Sequence, residues 1–443
     1  MVDQCTTENK SVQLDQLQRR YRSQIRRIKQ LQSSGAEKVQ LRNAATVLRS
    51  IKDDIRLEHK NRTRRKVVDN CANLYPRACS IPTDDEGFVT SFPAGQVLSG
   101  PETDKHELLD FFKTYGFVIF RDIIGPEECE ETAKEIWDHL EARNPSLQRG
   151  VPHTYSVLSS KTYGLAPEPA LFTAQMIRNR CNEYVVKALR LLLGHADILL
   201  SHDRWCFYRP TKSISIKNSQ HFMDMPTWKT PSNLHLDLNP WMYINGNVPS
   251  QTLDYKNLRD FSKEMNSVTQ VTGPHLQGIL SITENKNEDG GTVLVPGFHS
   301  VFSDWVEHLG AMNKYTNHND SSTNRLVWRG HGAGSFKFAA VDPIHNLKRR
   351  ISLRAGSFLV WDQRIVHGSV PNNSSNPRMA QFIKAFKSHG ISKQQFYARS
   401  KAIHKHMKVA RTLKLDTLTS DSRRVLGLDP HLNKLNGTSG VSM

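Results

Sequence analysis

The chain has 443 residues, 60 Lys plus Arg against 43 Asp plus Glu, and a formal charge of +17. Hydrophobic residues make up 37% of it, which excludes a wholly disordered chain, and the length suggests two or three domain-sized units. No run of about 18 apolar residues exists, which argues against a transmembrane helix.

The amino terminus, Met1–Lys10, is polar and has no apolar signal core. The last tripeptide, Val441-Ser442-Met443, is not a peroxisomal signal. The expected setting is intracellular, cytoplasmic or nuclear. Six cysteines are scattered without a CxxC pair, which argues against a cysteine zinc site and against a disulfide framework.

In chain order, residues 1–75 form a basic arm. Lys10 to Lys66 holds 17 Lys plus Arg and 5 Asp plus Glu, so +12 of the total charge lies there. Leu14, Leu17, Tyr21, Ile25, Ile28 and Leu31 fall at helical spacing. The spacing predicts a helix broken near Ser33-Ser34-Gly35 and resumed from Glu37 to Lys60. Nucleic acid, a membrane surface or an acidic partner would suit such an arm. The preferred reading is a helical hairpin packed on the main domain with its charges in water, because interleaved aromatics are missing and the apolar face demands burial.

Residues 76–103, with Pro76, Pro82, Pro93 and Pro101, read as a linker. Residues 104–390 read as the main domain. It starts with a helix from Asp104 to Tyr115 stopped by Gly116, a strand over Phe117–Phe120 and a helix from Pro126 to Arg143. A longer helix from Glu168 to Leu193 is closed by Gly194. From Asp197 the pattern is β-rich, with strands expected over Ile198–Tyr208, Asn233–Asp237, Leu276–Thr283, Thr292–Val295, Ser357–Trp361 and Met379–Phe386. Polar loops such as Lys212 to Pro231 and Asn313 to Gly334 separate them. Short strands with turn signals suggest a sandwich or barrel. Residues 391–443 return to basic helical character and end in a Gly/Ser-rich tail.

The chemistry centres on Asn233-Leu234-His235-Leu236-Asp237. In a strand, residues two apart share a face, so His235 and Asp237 project together. His367 offers the third ligand of a facial triad. Two histidines and one carboxylate suit non-haem Fe(II) and oxygen chemistry, and zinc is the rival. Arg378, opening a strand eleven residues later, could clamp the far carboxylate of a dicarboxylic cosubstrate. Ser369 could add a hydroxyl to the same group.

From Glu107 to Phe386 the sequence resembles the phytanoyl-CoA dioxygenase family of Fe(II)/2-oxoglutarate oxygenases. The resemblance rests on ordered motifs: Tyr115 to Asp122 at the opening strand, His235-x-Asp237 and His367 at the iron ligands, Ser369 and Arg378 at the 2-oxoglutarate carboxylate. Gly290 to His299 and Gly356 to Asp362 are similar to the family's turn-strand and pre-histidine strand. The resemblance implies a mainly β fold with flanking helices, a double-stranded β-helix of jelly-roll or cupin-like type. It implies Fe(II), 2-oxoglutarate and O2 as cofactor and cosubstrates, release of succinate and CO2, and hydroxylation of a C–H bond in a small-molecule or lipid-type substrate. Asp237 speaks against halogenation, because related halogenases keep a small residue there. Trp241, Thr292 and Gln277 are candidates for the substrate pocket, and His299 reads as structural. A nucleic-acid or protein oxygenase and a non-catalytic interaction module are the alternatives. The first would need the basic face beside the iron pocket. The second would be favoured by a missing ligand, and all three positions are filled.

Overall fold

The computed structural model describes residues 2–72, 74–158, 171–215, 221–238, 240, 276–316, 336–338, 342–388, 392–410 and 417–428. By internal contacts the chain divides into two units, residues 1–73 with 313–327, and residues 74–312 with 328–443.

In the first unit the basic arm forms two helices, α1 (Val2–Ser33) and α2 (Lys38–Ala72), which pack on each other. The residues withdrawn from water recur at steps of three and four: Leu17, Tyr21, Gln24, Ile28 and Leu31 on α1, and Leu41, Ala44, Leu48, Ile51 and Ile55 on α2. That is the spacing of a two-helix coiled-coil seam. Gln24, a polar residue within the seam, donates from Nε2 to the Ala44 carbonyl at 3.0 Å. The break falls at Ser34 and Gly35, as the sequence predicts, and α2 runs on past its expected end at Lys60.

The second unit opens on β1 (Phe92–Pro93) and α3 (Ala94–Ser99), followed by α4 (Thr103–Tyr115), β2 (Phe117–Arg121) and α5 (Pro126–Arg143). The stretch expected as a linker is therefore built into a sheet. β1 pairs in parallel with β2, and Phe88, Val89, Phe92, Ala94 and Val97 are buried. α5 starts at Pro126, and the Glu128 carboxylate accepts from the Gly125 N–H at 2.9 Å, satisfying one of the open donors of the first turn.

Residues 168–170 of the helix expected from Glu168 to Leu193 lie outside the described residues, and the rest holds two helices, α6 (Ala174–Arg180) and α7 (Glu183–Leu193). Asn182 makes the break: its side-chain oxygen accepts from the Tyr184 and Val185 N–H groups, and its amide donates to the Ile123 carbonyl. An N-cap in mid-pattern outweighs the apolar periodicity on either side. The strand expected over Ile198–Tyr208 is likewise two, β3 (Ile198–Leu200) and β4 (Trp205–Tyr208). Both pair antiparallel with the strand Arg378–Lys387, but their registers differ by one residue, so the chain keeps its direction and residues 201–204 form a bulge between them.

Two short strands, β5 (Ile214–Ser215) and β6 (Phe222–Met223), form a small separate ribbon. Then come β7 (Asn233–Leu236), β8 (Leu276–Ser281), β9 (Gly291–Leu294), helix α8 (Phe298–Thr316), β10 (Phe336–Lys337), β11 (Arg349–Arg350), β12 (Phe358–Asp362), β13 (His367–Val370) and β14 (Arg378–Lys387). One sheet runs β1-β2-β12-β8-β14-β3, with β4 also on β14. The other runs β10-β7-β13-β9-β11. In the large sheet, Phe117, Phe120 and Phe358 are fully buried, each contributing roughly 1.5–3 kcal/mol by leaving water. Helices α9 (Lys393–Ala410) and α10 (Ser420–Leu426) close the described chain, and Ile403, Met407, Leu418, Leu426 and Leu428 pack with Phe172 and Ile177.

Against the expectation of a mainly β chain, helical residues outnumber strand residues among the described residues, because the strands are short and the helices of the arm are long. Among the described residues no helix is long and apolar enough to cross a membrane.

Candidate metal centre and the cavity around it

On β7, Leu234 and Leu236 are buried on one face, and Asn233 and His235 lie on the other. β13 runs antiparallel to β7 with His367 directly opposite His235. The approach depends on Gly368, where a Cβ would stand 1.9 Å from the Asn233 carbonyl oxygen. The two imidazole centroids are 4.4 Å apart. His235 Nε2 lies 3.3 Å from Asp237 Oδ1, and His367 Nε2 lies 3.8 Å from Asp237 Oδ2. One ligand-type atom from each residue falls within 4.8 Å of the other two. The structure thus brings together the three residues that the sequence pointed to.

His367 and Asp237 are each held by neighbours. His367 donates from Nδ1 to the Ile365 carbonyl at 3.0 Å, which leaves the Nε2 lone pair facing the carboxylate. Gln277 donates from Nε2 to Asp237 Oδ2 at 2.8 Å, and its own oxygen accepts from the Trp361 indole N–H at 2.9 Å. Lys384 Nζ stands 3.1 Å from the same Oδ2. Gln363 Nε2 donates to the Asp237 carbonyl at 3.1 Å.

Burial pushes the His235 imidazole below its ordinary pKa, and the adjacent His367 adds to that, so its neutral, ligating form is favoured. Burial alone would raise the Asp237 carboxyl. The neighbouring Lys384 charge leads the effects that outweigh it and hold the group well below the usual carboxylate range. Two imidazoles and a carboxylate form the donor set that a divalent first-row metal takes.

These side chains line one cavity of about 430 Å³, which also contains Ser369, Thr292 and Arg378. Arg378 is 1% exposed. It donates to Asn285 Oδ1 at 3.2 Å, Cys206 Sγ at 3.3 Å and Thr292 Oγ1 at 3.4 Å, and its guanidinium carbon sits 5.0 Å from the Tyr208 ring centroid. Among the described residues no carboxylate lies within ion-pair distance of it. Gly291 makes room, since a Cβ there would stand 2.5 Å from Arg378 Nε. Arg350 lies beside it, also drawn to Asn285 Oδ1 at 2.6 Å. Burial and the Arg378 charge push the Arg350 guanidinium down to about 9. Ser369 pairs across the ladder with Thr292, and its Oγ is buried near the Tyr208 hydroxyl without a well-formed hydrogen bond.

Of the three pocket candidates, Thr292 bonds Arg378 and Gln277 bonds Asp237, so both sit in the cavity but touch its polar machinery. Trp241 lies outside the described residues. His299 donates to the Lys113 carbonyl at 3.0 Å, a tie between segments in keeping with a structural role. Lys384 escaped the sequence reading. The signal was present: it lies six residues after Arg378 on one strand, and period-2 alternation gives both the same face.

A sequence model of the family described as "Phytanoyl-CoA dioxygenase (PhyH)" matches residues 259–380. That span includes His367, Ser369 and Arg378 but not His235 and Asp237. A Dictyostelium discoideum protein named "Putative phytanoyl-CoA dioxygenase" is 33% identical over 330 residues, 72% of this chain and 86% of that protein. Among solved structures, GlcNAc Inducible Gene 2, GIG2, from Candida albicans superposes with a TM-score of 0.52 at 14% identity, covering 86% of each chain. That likeness concerns the fold alone. The epimerase SnoN, solved in complex with Fe3+, alpha ketoglutarate and nogalamycin RO, gives a TM-score of 0.38 at 15% identity over 65% of this chain and 85% of its own. The extent and identity of the Dictyostelium match, together with the family match over residues 259–380, mean that the chain belongs to the phytanoyl-CoA dioxygenase family.

Proposed function

We propose that this chain is an Fe(II)- and 2-oxoglutarate-dependent oxygenase that hydroxylates a C–H bond of a small-molecule or lipid-type substrate within a double-stranded β-helix. The observation that carries the reading is the polarity of one cavity: a His235–Asp237–His367 cluster at one place, and a buried Arg378 with no carboxylate partner among the described residues at another. The fold reading is supported by the path of the chain. From β7 onward, strands pass back and forth between the two sheets, and residues of both sheets line the same cavity.

In this proposal His235, Asp237 and His367 hold the iron. Bound with 2-oxoglutarate and O2, it supplies oxidative decarboxylation to succinate and CO2 coupled to C–H oxidation. Arg378 holds the distal carboxylate of 2-oxoglutarate by charge-assisted hydrogen bonds, and Ser369 Oγ and Thr292 Oγ1 stand beside it to add polar contacts. Gln277 and Lys384 fix one carboxylate oxygen of Asp237, so the other is the one free for a metal. Ile279, Phe338, Trp361 and Phe382 give the cavity apolar wall against which a carbon-rich substrate displaces water. The same donor set would take zinc. Arg378 and the family membership favour iron with a dicarboxylic cosubstrate.

The test is anaerobic loading with Fe(II), then air and 2-oxoglutarate, following succinate across a library of small molecules and lipids. Succinate formation that requires Fe(II) and rises with one substrate is expected. Absence of 2-oxoglutarate consumption under every condition, with hydrolysis by the zinc-loaded protein instead, would overturn the proposal.

A further inference from the structure

The basic hairpin poses a separate question. A helix with an apolar stripe has to bury it, and the preferred sequence reading met that need by packing the arm on the main domain. In the structure the stripe is satisfied within the hairpin, along the α1–α2 seam. The cations are left over. On α1, Arg19, Arg22, Arg26 and Lys29 are exposed and recur at steps of three, four and three, away from the seam. On α2, Lys38, Arg42, Arg49 and Lys52 are exposed and share a second stripe at steps of four, seven and three. Among the described residues none of these eight side chains has an ion-pair partner. Unpaired like charges along a helix repel one another, so the array is costly to the hairpin by itself and is relieved by an external anion.

We infer that the hairpin is a docking surface for duplex nucleic acid, held through the phosphate backbone. The stripe from Arg19 to Lys29 is about 15 Å long at the α-helical rise, and one strand of a duplex offers about four phosphates over that distance. Five of the eight side chains are Arg, whose planar fork suits phosphate oxygens. Three alternatives fit less well. A membrane-surface helix needs an apolar face to sink among acyl chains, but here the large exposed apolar side chains are Val39 and Val47 alone among the described positions of the hairpin. A single strand is gripped by stacking on exposed aromatics, and Tyr21 is drawn into the seam. A folded acidic partner would be anchored by an apolar or aromatic centre, which these stripes lack.

The inference is independent of the oxygenase reading and places no nucleic acid in the cavity. Its test uses the full chain and fluorescence anisotropy with a random-sequence duplex DNA and the matching duplex RNA over a salt series. Binding to either duplex is expected, with log K falling against log salt at a slope of about −4 or steeper. The quadruple variant Arg19→Gln, Arg22→Gln, Arg26→Gln, Lys29→Gln should flatten that slope by about 3 to 4 and leave the circular dichroism unchanged, since no seam residue is altered. Should this variant lose helix, the set Lys38→Gln, Arg42→Gln, Arg49→Gln, Lys52→Gln carries the same readout. No duplex binding by the parent chain would overturn the inference. So would slopes that neither variant changes, tighter binding to the single strands than to the duplex, or binding to phosphatidylserine vesicles with none to nucleic acid.

Discussion

The two polar places in the cavity are built on opposite principles. Around Asp237 the protein supplies one carboxylate and surrounds it with His235, His367, Gln277 and Lys384, so the anion is the protein's and the missing partner is a cation. Around Arg378 the protein supplies a buried cation, seats Arg350 beside it and offers only neutral acceptors in Asn285, Thr292 and Cys206. There the missing partner is an anion. A bound metal and an anionic ligand that reaches Arg378 would complete both, whereas Asp237 by itself leans on Lys384 and Arg378 by itself is a buried charge with no carboxylate partner among the described residues.

That contrast can be broken one place at a time. The largest effect belongs to the carboxylate itself. Asp237→Ala should abolish Fe(II) binding measured by anaerobic titration, and succinate production with it, while the melting transition shows the fold retained. Chelation of the parent protein should reproduce the loss, and Fe(II) should restore activity only to the parent. Next is Arg378→Ala, which removes one partner of a buried charged pair. Such a loss is worth roughly 2–5 kcal/mol, so the KM for 2-oxoglutarate should rise by about 30-fold or more, with Fe(II) affinity unchanged. Retention of the parental KM would contradict the role.

Gln277→Leu sharpens the comparison, because its target is a ligand's neighbour. Losing such a partner typically costs about 10- to 100-fold in metal affinity, and the metal titration should register it without any turnover. The smallest effect is expected from Thr292→Val, which deletes one long neutral hydrogen bond to Arg378. At about 0.5–1.5 kcal/mol, the KM for 2-oxoglutarate should rise no more than about tenfold, again with metal affinity untouched. A Thr292→Val variant that weakened the metal and spared the cosubstrate would erase the distinction between the two places.

Much of this was legible before any coordinates. His235-x-Asp237 declares itself because a strand's period places both on one face, and His367 because its residue type completes the donor set. Arg378 was recognisable from its place in the ordered motifs. What stayed hidden depends on register. Nothing in the sequence states that Gln277 on β8 reaches Asp237 just beyond β7, or that Asn285 is shared by Arg350 and Arg378. Lys384 was legible by alternation along β14, but a single lysine in a strand reads as an edge or surface residue until the sheet is assembled. The break at Asn182 was missed because the apolar period continues through it. Helix α8 shows buried Phe298, Phe302, Trp305 and Val306 at helical steps. The preceding Pro296-Gly297 turn nonetheless drew attention to His299 alone. β1 was obscured by Pro93, which edge strands tolerate.

The geometry of β14 also sets how the gene can vary in length. Arg378 and Lys384 address the two places from one face of one strand, about 20 Å apart along it. A single codon inserted between them would turn one of the two side chains to the opposite face. Two codons would restore the facing but displace one by about 7 Å. The interval from 378 to 384 should therefore be a fixed ruler in any functional descendant of this sequence, whereas the loops outside the strands are free to grow and shrink.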